Sequence, residues 1–143
     1  MVLDYQSVNK HLEIMREYVA DLLSYRREFT KDRLISDRKA QHLALYAFQM
    51  AIQSCIDIGS HIVADLALRR PEENSEIFRI LAEKKILPAE FSKSLVKMVK
   101  FRNQLVHVYW KVDMEQVHEI LHERLEDFNK FEKYILKFLE KGR

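Results

Sequence analysis

Residues 38–68 read RKAQHLALYAFQMAIQSCIDIGSHIVADLAL, and this stretch decides the fold class. Apolar residues cover most of the circumference of a helix drawn over it, which is typical of a buried helix. The positions that the pattern assigns to the core are Leu43, Tyr46, Ala47, Met50, Ala51, Cys55, Ile58, Ile62 and Leu66. Ser36 and Asp37 offer N-cap oxygens just before it. We expect a long central helix here.

The flanking segments have helical spacing too. Upstream, apolar side chains recur every three or four residues from Asp4 to Phe29, interrupted only by Arg26. Downstream, Pro71 ends the central helix, and Ser75 is the expected cap of a short helix over residues 76–85. Pro88 then suits the first turn of a fourth helix.

A fifth helix follows. Asp113 with Gln116 three residues later forms a capping-box pattern. From Val117 to Phe138 an apolar stripe with heptad-like spacing is interrupted only by Arg124, so this helix should run almost to the C-terminus.

Composition bounds the architecture. The chain has 143 residues with only 2 Gly and 2 Pro, which leaves little material for tight turns between strands. We therefore predict a single all-α domain over residues 1–143, an up-and-down bundle of four long helices plus one short helix.

Charge, apolar content and cysteine count indicate which partners and which cellular compartment to expect. The net charge is only +2, with 24 basic against 22 acidic side chains, so DNA is not an expected partner. The N-terminal segment is charged and no stretch is apolar enough to span a bilayer, so we expect a cytoplasmic protein without membrane association. The single cysteine, Cys55, is expected in the core and not as a nucleophile.

The segment HEILH, residues 118–122, has the spacing of a zinc-protease motif, with Glu119 in the general-base position. Such an enzyme also needs a third protein ligand downstream and an edge strand for the substrate peptide. Neither is available in the remaining helical pattern. We therefore interpret His118 and His122 as a solvated helix flank and expect no metal and no cofactor.

Residues 101–110, FRNQLVHVYW, place a guanidinium, an amide, an imidazole and a phenol within an apolar helix. Asn103 and His107 are four apart and share one helix face, while Arg102 and Tyr109, seven apart, fall on an adjacent one. The rise from Arg102 to His107 is about 7.5 Å, which a long arginine side chain spans toward a shared phosphate. The pattern favours a reaction centre over a buried polar cluster.

On the central helix, Gln53, Asp57 and His61 recur every four residues and share a face. One interpretation is a plain solvent face. The other is that Asp57 supports the site by orienting an Arg or His of the fourth helix. The sequence leaves both open.

The chemistry of the ten-residue segment suits RNA cleavage without metal. The 2′-hydroxyl of RNA is a built-in nucleophile, so an enzyme needs a proton-transfer group and a cation for the charge that develops on the phosphate. His107 fits the first role and Arg102 the second. One histidine does not easily serve both nucleophile and leaving group, so we expect a homodimer that brings two copies together.

The segment resembles the signature of the HEPN superfamily, through Arg102, Asn103 and His107 with four residues between the arginine and the histidine. Through Tyr109 it also resembles the HepT toxins. Trp110, the segment IQSCIDIGSHIVAD and the helix lengths are also similar, so the resemblance spans nearly the whole chain.

This resemblance implies a HEPN helical bundle, a homodimer whose composite cleft is a metal-independent endoribonuclease. It also implies a toxin–antitoxin module. The partner would be an MntA-type minimal nucleotidyltransferase antitoxin that adenylylates Tyr109, with Arg102 and His107 catalytic and Asn103 supporting. Asp57, from its place on the central helix, is a further candidate for a supporting role. Adenylylation would add charge and bulk at the site and so block RNA. The alternatives are a non-catalytic module that binds the nucleotidyltransferase, and a plain structural dimerisation bundle.

Overall fold

The computed structural model describes residues 3–142, and over those residues the chain forms seven α-helices, one 3₁₀ turn and no β-strand. The helices are α1 (Tyr5–Glu28), α2 (Lys31–Ser36), α3 (Arg38–Asp65), α4 (Asn74–Glu83), α5 (Ala89–His107), α6 (Met114–Glu123) and α7 (Glu126–Lys141), and the turn is Tyr109–Lys111. The predicted all-α fold is confirmed. No helix within residues 3–142 is long and apolar enough to cross a membrane.

Helix α3 lies at the centre of the bundle and packs most extensively against α1, with further contacts to α2, α4 and α5. Asp37 is its N-cap and accepts hydrogen bonds from the amides of Lys39 and Ala40. A hydrogen bond from the Arg33 side chain and these amides hold the pKa of Asp37 below its usual range. The predicted start of the central helix is therefore confirmed.

The predicted burial is wrong for two residues of α3. Leu43 and Tyr46 are exposed, Tyr46 by 56%. They line an open surface depression with Arg38, Lys39 and His42 near the start of α3. The helical pattern identifies apolar positions but not which of them the neighbouring helices cover, and here the covering helices leave one side of α3 open.

Helix α2 was not predicted. Thr30 caps it by accepting a hydrogen bond from the Arg33 amide, and Leu34 is fully buried. Its six residues are too few for a periodic pattern, and it holds its place through contacts with α3 and α6.

The start of α4 also differs from prediction. Glu73 is the N-cap and makes no side-chain capping bond, while Ser75 is buried and donates its hydroxyl to Glu73 at 2.7 Å. Ser75 is therefore inside the helix, not at its cap. Pro88, expected in the first turn of the next helix, is the N-cap of α5.

The predicted C-terminal helix is divided in two. Asp113 caps α6 as predicted, accepting from the Glu115 amide at 2.9 Å. At Arg124 the backbone leaves ideal helical geometry, with φ −117° and ψ 0°, and α7 begins at Glu126. Leu121, Leu125 and Phe128 stay buried on either side of the division. The apolar stripe thus continues although the helix does not.

Candidate active site at the end of helix α5

Arg102 is half-buried on α5, and two amide oxygens hold its guanidinium. Its Nη2 donates to Gln53 Oε1 of α3 at 2.6 Å, and its Nη1 donates to Asn103 Oδ1 at 3.2 Å. The Nε is buried and has no hydrogen-bond partner among the described residues. A guanidinium has five N–H donors, so besides the buried Nε–H one N–H on each Nη remains for another ligand. Asn103, for which the sequence predicts a supporting role, is thus one of the two residues that hold the guanidinium.

Asp57 lies one step further from the arginine. Gln53 Nε2 donates to Asp57 Oδ1 at 2.9 Å, and Asp57 Oδ2 is 3.8 Å from His11 Nδ1 on α1. Asp57 therefore does not contact Arg102 directly but is linked to it through Gln53. The face is also partly open to solvent, so both interpretations of it have a structural basis.

His107 is the last residue of α5, and its side chain is exposed. The helix ends there because Val108 leaves helical geometry, with φ −139° and ψ 41°, while its amide still donates to the Gln104 carbonyl at 2.9 Å. Asn103 and His107 both lie within α5, on one face as predicted. An exposed imidazole at a helix end is accessible to a substrate.

Tyr109 is placed differently from the expectation. It lies in the 3₁₀ turn after α5, not on a continuous helix with Arg102, so the predicted adjacent helix face is wrong. Tyr109 and Trp110 are 62% and 66% exposed, and their rings make an edge-to-face contact with centroids 5.3 Å apart. The tyrosine hydroxyl is thus displayed on the surface two residues from His107.

Cys55 is 2% exposed, and burial raises the pKa of its thiol. Its sulfur contacts that of Met15 at 3.5 Å. A buried thiol that resists ionisation is a poor nucleophile, so the prediction of a core cysteine is confirmed.

The HEILH histidines lie on α6. Their rings are adjacent, with centroids 4.2 Å apart; His122 is exposed and His118 half-buried. The pKa of His122 is lowered, mainly by the partial burial of its ring and to a smaller extent by the neighbouring His118. Within residues 3–142, no group of three or more His, Cys, Asp or Glu side chains is arranged to hold a metal ion.

The sequence interpretation did not assign a role to Gln53 or to His11. The spacing of Gln53 four residues before Asp57 is the one signal that links them. Nothing in the spacing indicates that Gln53 meets Arg102, because the two are 49 positions apart.

The fold and this constellation define an all-α protein of the HEPN type, and comparison with known proteins identifies the family. A model described as Ribonuclease HepT-like matches residues 15–135. The chain belongs to the HepT-like ribonuclease family, which confirms the predicted family and the ribonuclease class.

Three relatives illustrate the similarity. The chain is 26% identical to the mRNA nuclease HepT of Shewanella oneidensis over 125 residues, 87% of each chain. It is also 26% identical to the tRNA nuclease HepT of Aphanizomenon flos-aquae, over 92% of this chain and 89% of that protein. A solved structure of a tri-AMPylated HEPN toxin from Shewanella oneidensis in complex with an MNT antitoxin has a similar fold, with a TM-score of 0.83, 24% identity and coverage of 91% and 96%.

Proposed function

We propose that this protein is the cytoplasmic toxin of a toxin–antitoxin module, a single-domain, metal-independent endoribonuclease that acts as a homodimer. The observation that carries the proposal is the pairing of a held but uncompensated cation, Arg102, with an exposed imidazole, His107, at the end of one helix. Family membership supports the same chemistry, since relatives are named as mRNA and tRNA nucleases.

The reaction needs only groups that this chain supplies. A histidine removes the proton of the 2′-hydroxyl, and the oxygen attacks the adjacent phosphorus. The bond to the 5′-oxygen breaks, and that oxygen takes up a proton, leaving a 2′,3′-cyclic phosphate and a 5′-hydroxyl. Arg102 stabilises the extra negative charge on the phosphate oxygens.

A second copy of the chain completes the site. The proton removed from the nucleophile and the one delivered to the leaving group lie on opposite sides of the phosphorus, so His107 and the partner's His107 divide the two tasks across a twofold axis. Exposed apolar side chains accompany the motif and suit an interface, namely Val106 and Trp110 beside it and Leu43 and Tyr46 on α3.

Control of the toxin rests on Tyr109. Its exposed hydroxyl is open to adenylylation by an MntA-type minimal nucleotidyltransferase antitoxin, and a relative is known as a tri-AMPylated toxin in complex with an MNT antitoxin. AMP groups beside Arg102 and His107 would occupy the phosphate site and repel RNA. Asn103 and Asp57 have supporting roles toward Arg102.

The test is RNA cleavage by the purified protein and by its Arg102→Ala and His107→Ala variants. Loss of a general acid–base group lowers rates by roughly 10²- to 10⁴-fold. We expect such losses with unchanged helical circular dichroism, and loss of growth arrest in cells. Gln104→Ala, on an exposed residue of the same helix, is the control and should cleave normally. No cleavage by the unmodified protein would favour the non-catalytic module instead.

A further inference from the structure

The Arg102 guanidinium is held by neutral oxygens and not by a carboxylate. Gln53 and Asn103 accept its two hydrogen bonds. Within residues 3–142, no carboxylate oxygen lies within 4.0 Å of an Arg102 nitrogen. By contrast, Arg69 binds both Glu76 and Glu83. Arg102 therefore combines a defined position with an uncompensated charge.

The orientation of the Gln53 amide follows from the group behind it. An ionised carboxylate only accepts hydrogen bonds, so Asp57 fixes the NH₂ group of Gln53 toward itself, at 2.9 Å. The amide oxygen must then point the other way, where Arg102 lies at 2.6 Å. Reversal of the amide would bring NH₂ against guanidinium and carbonyl against carboxylate, two repulsive contacts.

The carboxylate is thereby kept one side chain away from the arginine. A carboxylate in direct contact would form a bidentate pair with the guanidinium and compete with an RNA phosphate for the same N–H groups. A neutral amide between the two passes on the orientation without that competition. His11 lies 3.8 Å from the other Asp57 oxygen, so the series of contacts extends from α5 through α3 to α1.

We propose that Gln53 is a positioning residue of the nuclease site, a neutral spacer through which Asp57 orients Arg102 while the arginine keeps its charge for the RNA phosphate. This inference rests on the proposed function. It adds a residue of α3 to the site, which the ten-residue segment on α5 alone does not complete.

Two substitutions of Gln53 separate its two properties, which are the hydrogen bond that orients Arg102 and the absence of a charge. Gln53→Leu removes the hydrogen bond to Nη2 and leaves Arg102 uncompensated and held by Asn103 alone, so kcat/KM should fall by roughly 10- to 100-fold at every pH. Gln53→Glu keeps the length but adds a competing carboxylate. It should raise KM for RNA, and the defect should shrink as the pH falls and the introduced carboxyl group becomes protonated.

Gln49 provides the matched control. It lies one turn earlier on α3, is half-buried like Gln53, and makes no hydrogen bond to Arg102. Gln49→Leu and Gln49→Glu repeat the same changes of size and charge and should leave KM and its pH dependence unaltered. Asp57→Asn should lower activity, and combining it with Gln53→Leu should add little because both act through the same contact.

A second measurement does not depend on cleavage. In ¹⁵N-labelled protein the Arg102 Nη signals, identified by their loss in Arg102→Lys, should show hindered rotation that Gln53→Leu removes and Gln49→Leu preserves. If wild-type protein fails to cleave RNA but this difference is seen, the positioning stands and the proposed function fails. The inference would be overturned by Nη signals that Gln53→Leu leaves unchanged. It would also be overturned if the KM of Gln53→Glu for RNA equalled that of wild type at every pH.

Discussion

Tyr109 and Trp110 form an exposed edge-to-face pair in the 3₁₀ turn that follows His107, with ring centroids 5.3 Å apart. The turn carries both rings away from the core, since neither packs under another element. The tyrosine hydroxyl is thus next to the proposed reaction centre without being part of the helix that carries it.

Tyr109→Phe should therefore separate control from catalysis. The variant should cleave RNA at close to the wild-type rate and should unfold within about 0.5 kcal/mol of wild type, because the ring is exposed. Incubation with an MntA-type nucleotidyltransferase and ATP should add AMP to wild type, detected by intact mass, but not to this variant. Tyr46→Phe, at another exposed tyrosine, should accept AMP as wild type does; AMP on the Tyr109→Phe protein would contradict the assignment.

Chelation should leave the proposed nuclease unaffected. We expect unchanged cleavage in excess EDTA, because the described side chains include no metal-binding cluster and the proposed reaction uses only proton transfer and charge stabilisation. The His118→Ala, His122→Ala double variant should also remain active. Activity lost in EDTA and restored by zinc would point to HEILH as a metal site after all.

Gly59→Ala should destabilise the bundle although alanine is the better helix former. A Cβ at this position of α3 would lie 2.5 Å from Ile77 Cγ2 on α4, closer than the two carbons can approach. Overpacking of this kind costs roughly 1–3 kcal/mol, which thermal unfolding would detect. Ser60→Ala, at the adjacent exposed position, should instead stabilise slightly.

The clash at Gly59 can also be relieved from the other side. Ile77→Leu removes the offending branch, so adding it to Gly59→Ala should recover part of the lost stability. If Gly59→Ala alone unfolds at a higher temperature than wild type, the close approach of α3 and α4 is not as described.

Asp127→Asn should stabilise the protein at neutral pH. Burial raises the pKa of Asp127 above its usual value, against the smaller opposing effects of Arg124 and Lys130. A carboxyl whose pKa is raised by folding destabilises the native state when it is ionised. The advantage of Asp127→Asn should therefore shrink as the pH falls through the folded-state pKa.

Thermal unfolding of the two proteins across the acid range measures this difference. Glu126→Gln, at the exposed neighbouring position in the first turn of α7, is the control and should show no such stabilisation. A stability difference between wild type and Asp127→Asn that does not change with pH would exclude burial of the charge as the cause.

The local features were predictable because they depend on nearby residues. The apolar spacing indicated the long helices. Side chains able to cap a helix marked the helix starts at Asp37 and Asp113. The division at Arg124 was not predictable in this way, because no proline or glycine marks it and the apolar stripe runs on through it. Exposure of Tyr46 was missed for a related reason, since periodicity does not say which helix faces are covered.

The sequence by itself determined the all-α fold, the central position of α3 and the presence of Arg102, Asn103 and His107 on one helix. These follow from residue type and spacing along a helix of fixed pitch. Only the tertiary structure decided that Gln53 meets Arg102 and that Tyr109 leaves the helix. The first is a contact between residues 49 apart, set by how α3 and α5 pack, and the second follows from the backbone at Val108, which leaves helical geometry.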